Sequence, residues 1–130
     1  SLCPSVMESL LLKFPELSEK IAGWALSPNR WVRRASAVSF ILLARKGRML
    51  DPAYKISERL FKDKDDLVQK ANGWLLREAG KVDEKRLEVF LLKHGARIPR
   101  TTLRYSIERF EEKKRKRILA QTKPEGKNRR

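Results

Sequence analysis

The chain has 130 residues, 41% of them hydrophobic, which is enough for one domain with a continuous core. Its 31 Lys and Arg residues outnumber 16 Asp and Glu residues, and the net charge of +15 favours a polyanionic partner. No apolar run approaches the roughly 20 residues of a membrane span, and no secretory signal is recognisable, so we expect neither a membrane protein nor a secreted one.

The single cysteine, Cys3, cannot form an internal disulfide and therefore predicts a reducing, intracellular and most simply cytoplasmic location. A reactive thiol at Cys3 is the less favoured alternative, because the only histidine of the chain lies far along the sequence. The chain begins at Ser1 without a methionine, and we interpret it as a piece of a longer protein.

Hydrophobic residues recur every three to four positions nearly end to end, which predicts an all-α chain of about seven to eight helices. No segment alternates with period two for long enough to predict a strand. The core is expected from seven apolar stripes, in chain order Val6, Leu10 and Phe14; Leu17, Ile21 and Trp24; Trp31, Ala35, Val38 and Leu42; Ala53, Ile56 and Leu60; Val68, Ala71 and Leu75; Leu87 and Leu91; Leu103, Ile107 and Phe110.

Proline and glycine divide the chain into these helices. First helical positions are predicted at Pro4, Pro15 and Pro52, and Asp51 can cap the last of these. Left-handed helix ends are predicted at Gly47, Gly80 and Gly95. After Glu111 the pattern thins, and we expect a helix fading near Ala120. The predicted organisation is a repeat domain over residues 1–119 and a basic disordered tail over 120–130.

A weak repeat lies beneath the helices. The segment Trp31–Ala35 recurs as Leu67–Ala71, displaced by 36 residues, and Arg104 follows Lys70 at a distance of 34 residues. A spacing in the mid-thirties predicts an α-solenoid of helix pairs, whose curvature offers a concave surface. The recurring bases could simply pair with acids, but their recurrence in a chain of this charge favours a binding groove.

Two groups of residues are candidates for that groove. The predicted third helix carries three bases within roughly 60° of one another on a helical wheel, Arg30, Arg34 and Arg45. The predicted fifth helix carries a stripe outside its core face, Lys70, Trp74 and Arg77. A Trp between two bases suits contact with a phosphate and a sugar or base together, although packing of Trp74 into the next repeat remains an equal alternative.

The other residues that often carry chemistry point to structural roles. Trp24 and Trp31 lie in apolar stripes and are expected in the core. His94 is expected to complement a helix dipole at its C-terminal end. Caps rather than metal ligands are expected at Asp63, Asp65 and Asp66. Without a Cys/His cluster, a phosphate-binding Gly loop or a Ser-His-Asp arrangement, the sequence predicts no cofactor and no metal.

Three motifs carry a family resemblance: W-x6-W-V-R-R-A from Trp24 to Ala35, K-A-x-G-W-x-L-R-E from Lys70 to Glu78, and P-R-T-T-L-R-Y from Pro99 to Tyr105. They resemble the C-terminal half of the AlkD-type DNA alkylation repair proteins over roughly residues 1–119. The resemblance implies HEAT-like repeats in a right-handed solenoid. It also implies a DNA glycosylase that removes cationic alkylpurines, such as 3-methyladenine and 7-methylguanine, from double-stranded DNA, most simply as a monomer.

The resemblance also assigns roles to single residues. Arg34 would hold a backbone phosphate, Trp74 would be a catalytic-site Trp, and Arg77 a further DNA contact. The family's other Trp and its Asp would lie upstream of Ser1. A cationic purine leaves without protonation, so the missing carboxylate matters for stabilising charge on the sugar or for positioning water. We therefore expect this chain alone to bind DNA but to excise bases poorly.

Two other functions stay open. One is a non-catalytic relative that binds branched or damaged DNA through the same face. The other, less favoured, is a scaffold that binds an acidic protein. An anionic membrane surface is a poor match, because no helix pairs a Lys-rich face with a wide free apolar face.

Overall fold

The computed structural model describes residues 4–124, which are all-α and contain no strand. The α-helices, in chain order, are α1 (Pro4–Lys13), α2 (Leu17–Gly23), α3 (Arg30–Val38), α4 (Ile41–Arg45), α5 (Leu50–Arg59), α6 (Asp66–Val82), α7 (Glu84–His94), α8 (Arg100–Ser106) and α9 (Glu112–Gln121). One predicted helix is divided into α3 and α4, and if these are counted together the described residues contain eight helices, as predicted. The all-α class is confirmed.

The helices stack in two layers. Each of α2, α5 and α7 is followed by a short 3₁₀ turn, and these turns begin 36 and 35 residues apart, at Trp24, Leu60 and Gly95. Each turn leads into one helix of a first layer, α3, α6 or α8, in which α6 lies between the other two. The helices α2, α5 and α7 form a second layer, while α1 packs on α4 and α9 packs on α7. This regular stacking gives the described residues a solenoid-like architecture.

Most of the predicted stripes form the core between the layers. The residues of the α5, α6, α7 and α8 stripes are all buried, as predicted, and Ile21 of α2 is buried with them. Leu75, Leu87 and Leu103 are completely inaccessible to solvent. Burial of each such side chain is worth roughly 1.5–3 kcal/mol, so the core is the main source of stability.

The prediction for α1 is wrong. Val6, Leu10 and Phe14 are exposed, and the buried residues are Met7 and Leu11, which lie one position further along the chain. Apolar side chains occur on several sides of α1, so spacing alone did not identify the side that packs against α4.

Several predictions about helix ends are wrong, and neither Pro15 nor Pro52 is a first helical position, because α2 begins at Leu17 and α5 at Leu50. Helix α5 begins at Leu50 after Met49, whose φ is +53°, and Asp51 does not cap it; its carboxylate instead accepts a 2.6 Å hydrogen bond from Arg86. Gly80 lies inside α6, where a Cβ would collide with Leu87 of α7, so glycine serves close helix packing there. The predicted positive φ is confirmed at Gly47 and Gly95.

Some predictions fall beyond the described residues. Cys3 and the tail from residue 125 onward lie outside them, and the boundary at 119 stays a prediction, with α9 ending at Gln121. Within residues 4–124, no helix combines the length and the apolar character that crossing a membrane requires.

Candidate nucleic-acid interface

One cleft brings together residues from all three helices of the first layer. It has a volume of about 290 Å³. Arg34 of α3 stands on one side, and Tyr105 of α8 stands on the other. The floor between them belongs to α6 and carries Lys70, Trp74 and Arg77. The candidates Arg34, Lys70, Trp74 and Arg77 therefore share one surface, which we call the Trp74 cleft.

The orientation of α6 follows from its sequence. Asp65 caps the helix by accepting backbone hydrogen bonds from Leu67 and Val68, which confirms the predicted cap. Val68, Ala71 and Leu75 are buried on the core side. The adjacent side of α6, which carries Lys70, Trp74 and Arg77, therefore faces solvent, and the Trp74 side chain is half-buried there.

Close contact between α6 and α8 completes the cleft. Gly73 is buried where the two helices meet, and a Cβ there would lie 2.8 Å from the carbonyl oxygen of Thr102. The Thr102 hydroxyl donates a 2.9 Å hydrogen bond to the carbonyl oxygen of Gln69. These contacts hold Tyr105 at the edge of the cleft.

The cleft's cations are available to an anion. Arg34 has no ion pair with any described residue. The Lys70 ammonium lies 3.0 Å from the exposed carboxylate of Asp66, whose hydrogen bond raises the pKa of Lys70. Arg77 donates to the exposed carboxylate of Glu108. Exposed pairs of this kind are weak, so a phosphate can compete for these cations.

A buried carboxylate lies beneath this surface. Glu78 is only 2% exposed, accepts hydrogen bonds from Arg45 at 2.9 Å and Lys81 at 3.0 Å, and lies 3.9 Å from Arg77 Nε. Burial by itself raises the pKa of Glu78, but the hydrogen bonds from Arg45 and Lys81 outweigh it, so the pKa lies below its ordinary value. Glu78 therefore stays charged and anchors the cations around it.

Three predicted bases lie outside the Trp74 cleft. The wheel that grouped Arg30, Arg34 and Arg45 assumed one continuous helix, but the chain turns at Ser39–Phe40 and places Arg45 on α4. Arg30 pairs with Asp65 at 3.4 Å. Arg104 lines a separate cleft of about 230 Å³ next to Arg115.

The third repeat has a different register from the predicted one. Leu103 and Ser106 are buried as Val68 and Ala71 are, which corresponds to a displacement of 35 residues rather than 34. With that displacement the position equivalent to Lys70 is Tyr105, not Arg104. The requirement that Leu103 be buried was the available signal, and it would have identified Tyr105 as a cleft residue.

The core prediction for Trp31 is wrong, and Trp24 is only half-buried against the core. Trp31 is 58% exposed and lies with Trp24 in a separate apolar cleft of about 430 Å³. Helix α3 buries Val38, as predicted, together with the small residues Ser36 and Ala37. Small side chains let α3 approach α6 closely, and a pattern search weighted toward large apolar residues misses them.

His94 does not complement a helix dipole as a charged group. It ends α7 as predicted, but it is buried between the rings of Phe61 and Phe90 and is hydrogen-bonded through Nδ1 to Arg97 at 2.6 Å. Burial lowers the pKa of His94, so the ring is neutral near pH 7. Because arginine can only donate, Nδ1 is the acceptor and the proton resides on Nε2.

The three Asp residues around the start of α6, Asp63, Asp65 and Asp66, have structural roles. Asp63 accepts a 2.6 Å hydrogen bond from Arg33, and Asp66 pairs with Lys70. No group of His, Cys, Asp and Glu suited to a metal ion occurs within the described part of the chain.

A comparison with protein families finds a match to this chain. The family model described as DNA alkylation repair enzyme matches residues 1–110. No curated protein and no solved structure matches the chain.

Proposed function

The chain belongs to the DNA alkylation repair enzyme family, and on that premise we propose that the Trp74 cleft grips the backbone of double-stranded DNA beside an alkylated purine. The observation that carries the proposal is the convergence of Arg34, Lys70, Trp74 and Arg77 from two helices on one open surface. Family membership indicates DNA alkylation repair with DNA as the partner. The contact between the Trp74 cleft and the DNA backbone and the specificity for alkylated purines are our inference.

Each cleft residue has a role in this proposal. Arg34, Lys70 and Arg77 contact successive phosphates, and arginine does so through paired N–H donors. The half-buried ring of Trp74 and the exposed ring of Tyr105 contact the sugar or base between these phosphates and share the positive charge of the lesion. The cleft is shallow and open, which suits binding without turning the base into a pocket.

We extend the proposal to the chemistry of the family that this sequence resembles. The proposed reaction is N-glycosidic cleavage of cationic alkylpurines such as 3-methyladenine and 7-methylguanine, to which this chain contributes the DNA-binding surface but not the family's carboxylate. We further propose that it acts as a monomer on DNA in the cytoplasm and is built of HEAT-like repeats. Arg30, Arg45 and Arg104 extend the basic surface at its margins. The second candidate is a non-catalytic relative that binds branched or damaged DNA through the same cleft.

The test uses the full chain with a duplex carrying one 7-methylguanine and with an unmodified duplex. Affinity is measured as a function of salt, and released base is measured in the same samples. We expect Arg34→Ala to weaken binding and to reduce the salt slope by about one phosphate contact. The matched control is Arg59→Ala, which removes the same charge from an exposed position on α5, in the other layer.

The outcomes separate the candidate functions. Release of 7-methylguanine supports the glycosylase and contradicts the non-catalytic relative, whereas tighter binding of the modified duplex without release supports the DNA-binding role that both candidates give this chain. If Arg34→Ala and Arg59→Ala have the same salt slope, Arg34 does not contact phosphate. If the chain binds no DNA, the proposed function is wrong and a protein-binding scaffold replaces it.

A further inference from the structure

We propose that Glu108 occupies, in the free protein, the place that a DNA phosphate takes on Arg77 in the complex. This inference rests on the proposed function and adds a residue that weakens DNA binding instead of strengthening it. The sequence motifs gave Glu108 no role, and the contact becomes visible only in the fold.

The geometry places Glu108 between Arg77 and the solvent. Arg77 Nη1 donates to Glu108 Oε1, across 31 residues of sequence and from α6 to the segment that follows α8. The Arg77 side chain is 21% exposed, whereas the Glu108 side chain is 63% exposed. An anion that approaches Arg77 from solvent therefore meets the position that this carboxylate holds.

The surroundings of the pair are those of an anion site. Arg77, Glu108 and Arg109 line a cleft of about 580 Å³, and Arg77 also lines the adjoining Trp74 cleft. Beneath the pair, Arg77 Nε is buried without a hydrogen-bond partner, 3.9 Å from the carboxylate of Glu78. The side chain is thus supported from the core side while its outer nitrogen is held by Glu108.

Exchange of Glu108 for a phosphate is chemically matched. Both groups offer anionic oxygens to the guanidinium, so Arg77 keeps a charge-assisted hydrogen bond throughout. The displaced carboxylate cannot stay beside a phosphate, because the two anions repel. Glu108 also lines the cleft that contains Arg104 and Arg115, so its side chain can turn toward those cations.

The consequence is a competition that lowers affinity for any single phosphate. One isolated anion has to displace a partner that is tethered to the chain, whereas a duplex brings several phosphates to Arg34, Lys70 and Arg77 together. Glu108 therefore disfavours isolated phosphate contacts and favours a duplex that engages the whole Trp74 cleft.

The test compares Glu108→Gln with Glu111→Gln. Both changes remove one exposed negative charge, and Glu111 forms no ion pair with the described residues. Affinity for an unmodified duplex is measured by fluorescence anisotropy at fixed ionic strength. We expect E108Q to bind about threefold to fivefold more tightly than the wild type, the size of effect that loss of an exposed ion pair produces. We expect E111Q to change affinity by less than about twofold.

A second pair of variants shows whether the effect passes through Arg77. In an Arg77→Gln background, E108Q and E111Q should have the same affinity, because the cation for which Glu108 competes is gone. Equal gains from E108Q and E111Q in the wild-type background overturn the inference, as does a gain from E108Q that persists without Arg77.

The same measurements separate this inference from the proposed function. If the wild type binds DNA and R77Q weakens binding, but E108Q behaves as E111Q does, only the role of Glu108 is wrong. If the wild type binds no duplex, the proposed function is wrong and this inference is wrong with it.

Discussion

At the scale of single residues, a buried anion organises the cations of two helices. Glu78 of α6 receives hydrogen bonds from Arg45 of α4 and from Lys81 one turn away on its own helix. Loss of its charge would weaken the charge-assisted hydrogen bonds from the exposed residues Arg45 and Lys81 and would leave the largely buried Arg77 without a carboxylate on its inner side. Glu78 therefore stabilises the fold and also holds the guanidinium of Arg77 from its core side.

We predict that Glu78→Gln lowers the free energy of unfolding by about 1–3 kcal/mol at pH 7. The pKa of Glu78 is lower in the folded state than its ordinary value of 4.5, so its stabilisation is present above that pH and disappears as the pH falls through the folded-state pKa. The difference between wild type and E78Q should accordingly shrink in acid. Urea unfolding at pH 7 and near pH 3 measures both effects.

The control for that measurement is Glu19→Gln, which neutralises an exposed carboxylate on α2 that forms no ion pair with the described residues. Its stability should stay within about 0.5 kcal/mol of the wild type. An E78Q variant as stable as E19Q at pH 7 would contradict a structural role for the buried charge.

The sequence predicted some residue environments and missed others, for identifiable reasons. Lys70, Trp74 and Arg77 share one straight helix, so helical geometry alone brought them together. The helical wheel places Arg45 wrongly because the chain turns before it, and the apolar stripe places Trp31 wrongly because α3 buries Ser36, Ala37 and Val38 instead. Helical spacing describes one helix at a time and contains no information about the surface that a neighbouring helix covers.

At the scale of helices, the contact between α6 and α8 determines the width of the Trp74 cleft. Gly73 lies in that contact, and the hydrogen bond from Thr102 to the backbone of Gln69 lies one turn away. Any side chain at position 73 would push α8 outward and would move Tyr105 with it.

We predict that Gly73→Ala destabilises the protein by about 1–3 kcal/mol, although alanine is the better helix former by roughly 1 kcal/mol. The new Cβ would lie 2.8 Å from a backbone oxygen of α8, and backbone cannot yield as a flexible side chain can. DNA affinity should fall as well, because Tyr105 leaves the edge of the cleft. Urea unfolding and duplex binding are the measurements.

Gly23→Ala provides the matched control. Gly23 ends α2 with no atom within 4 Å of an added Cβ, so the propensity gain appears there without a steric cost. We expect G23A to be as stable as the wild type or up to about 1 kcal/mol more stable. Equal stabilisation by G73A and G23A would mean that α6 and α8 are packed less closely than described.

The same contact explains what the sequence could not predict about helix arrangement. The helical stripes of α5 to α8 were evident from spacing, but the register between repeat units was assigned one residue short. The repeat length changes from 36 to 35 residues along the chain, so motif matching alone does not determine the register between the units. The buried positions Val68 and Leu103 determine it, and their burial depends on both layers.

At the scale of the whole molecule, the charge is distributed unevenly between the layers. The first-layer helices α3, α6 and α8 carry eight basic and two acidic residues, whereas the second-layer helices α2, α5 and α7 carry six basic and five acidic residues. In the Trp74 cleft, Arg34 has no acidic partner within the described residues, and the partner of Lys70 is highly exposed. The electrostatic attraction for DNA is therefore concentrated on the first layer.

A deletion that begins at Lys123 tests whether the first layer, rather than the end of the chain, recognises the lesion. Deletion of residues 123–130 removes four bases and one acid, and we predict weaker binding of modified and unmodified duplexes by the same factor, with a salt slope smaller by up to about 3.6. A segment that contributes only counterion release cannot distinguish the two duplexes, because both have the same phosphates. The ratio of the two affinities, measured at three salt concentrations, should therefore equal the full-length value. A ratio that changes on deletion would locate part of lesion recognition in residues 123–130, because the Trp74 cleft is identical in both proteins.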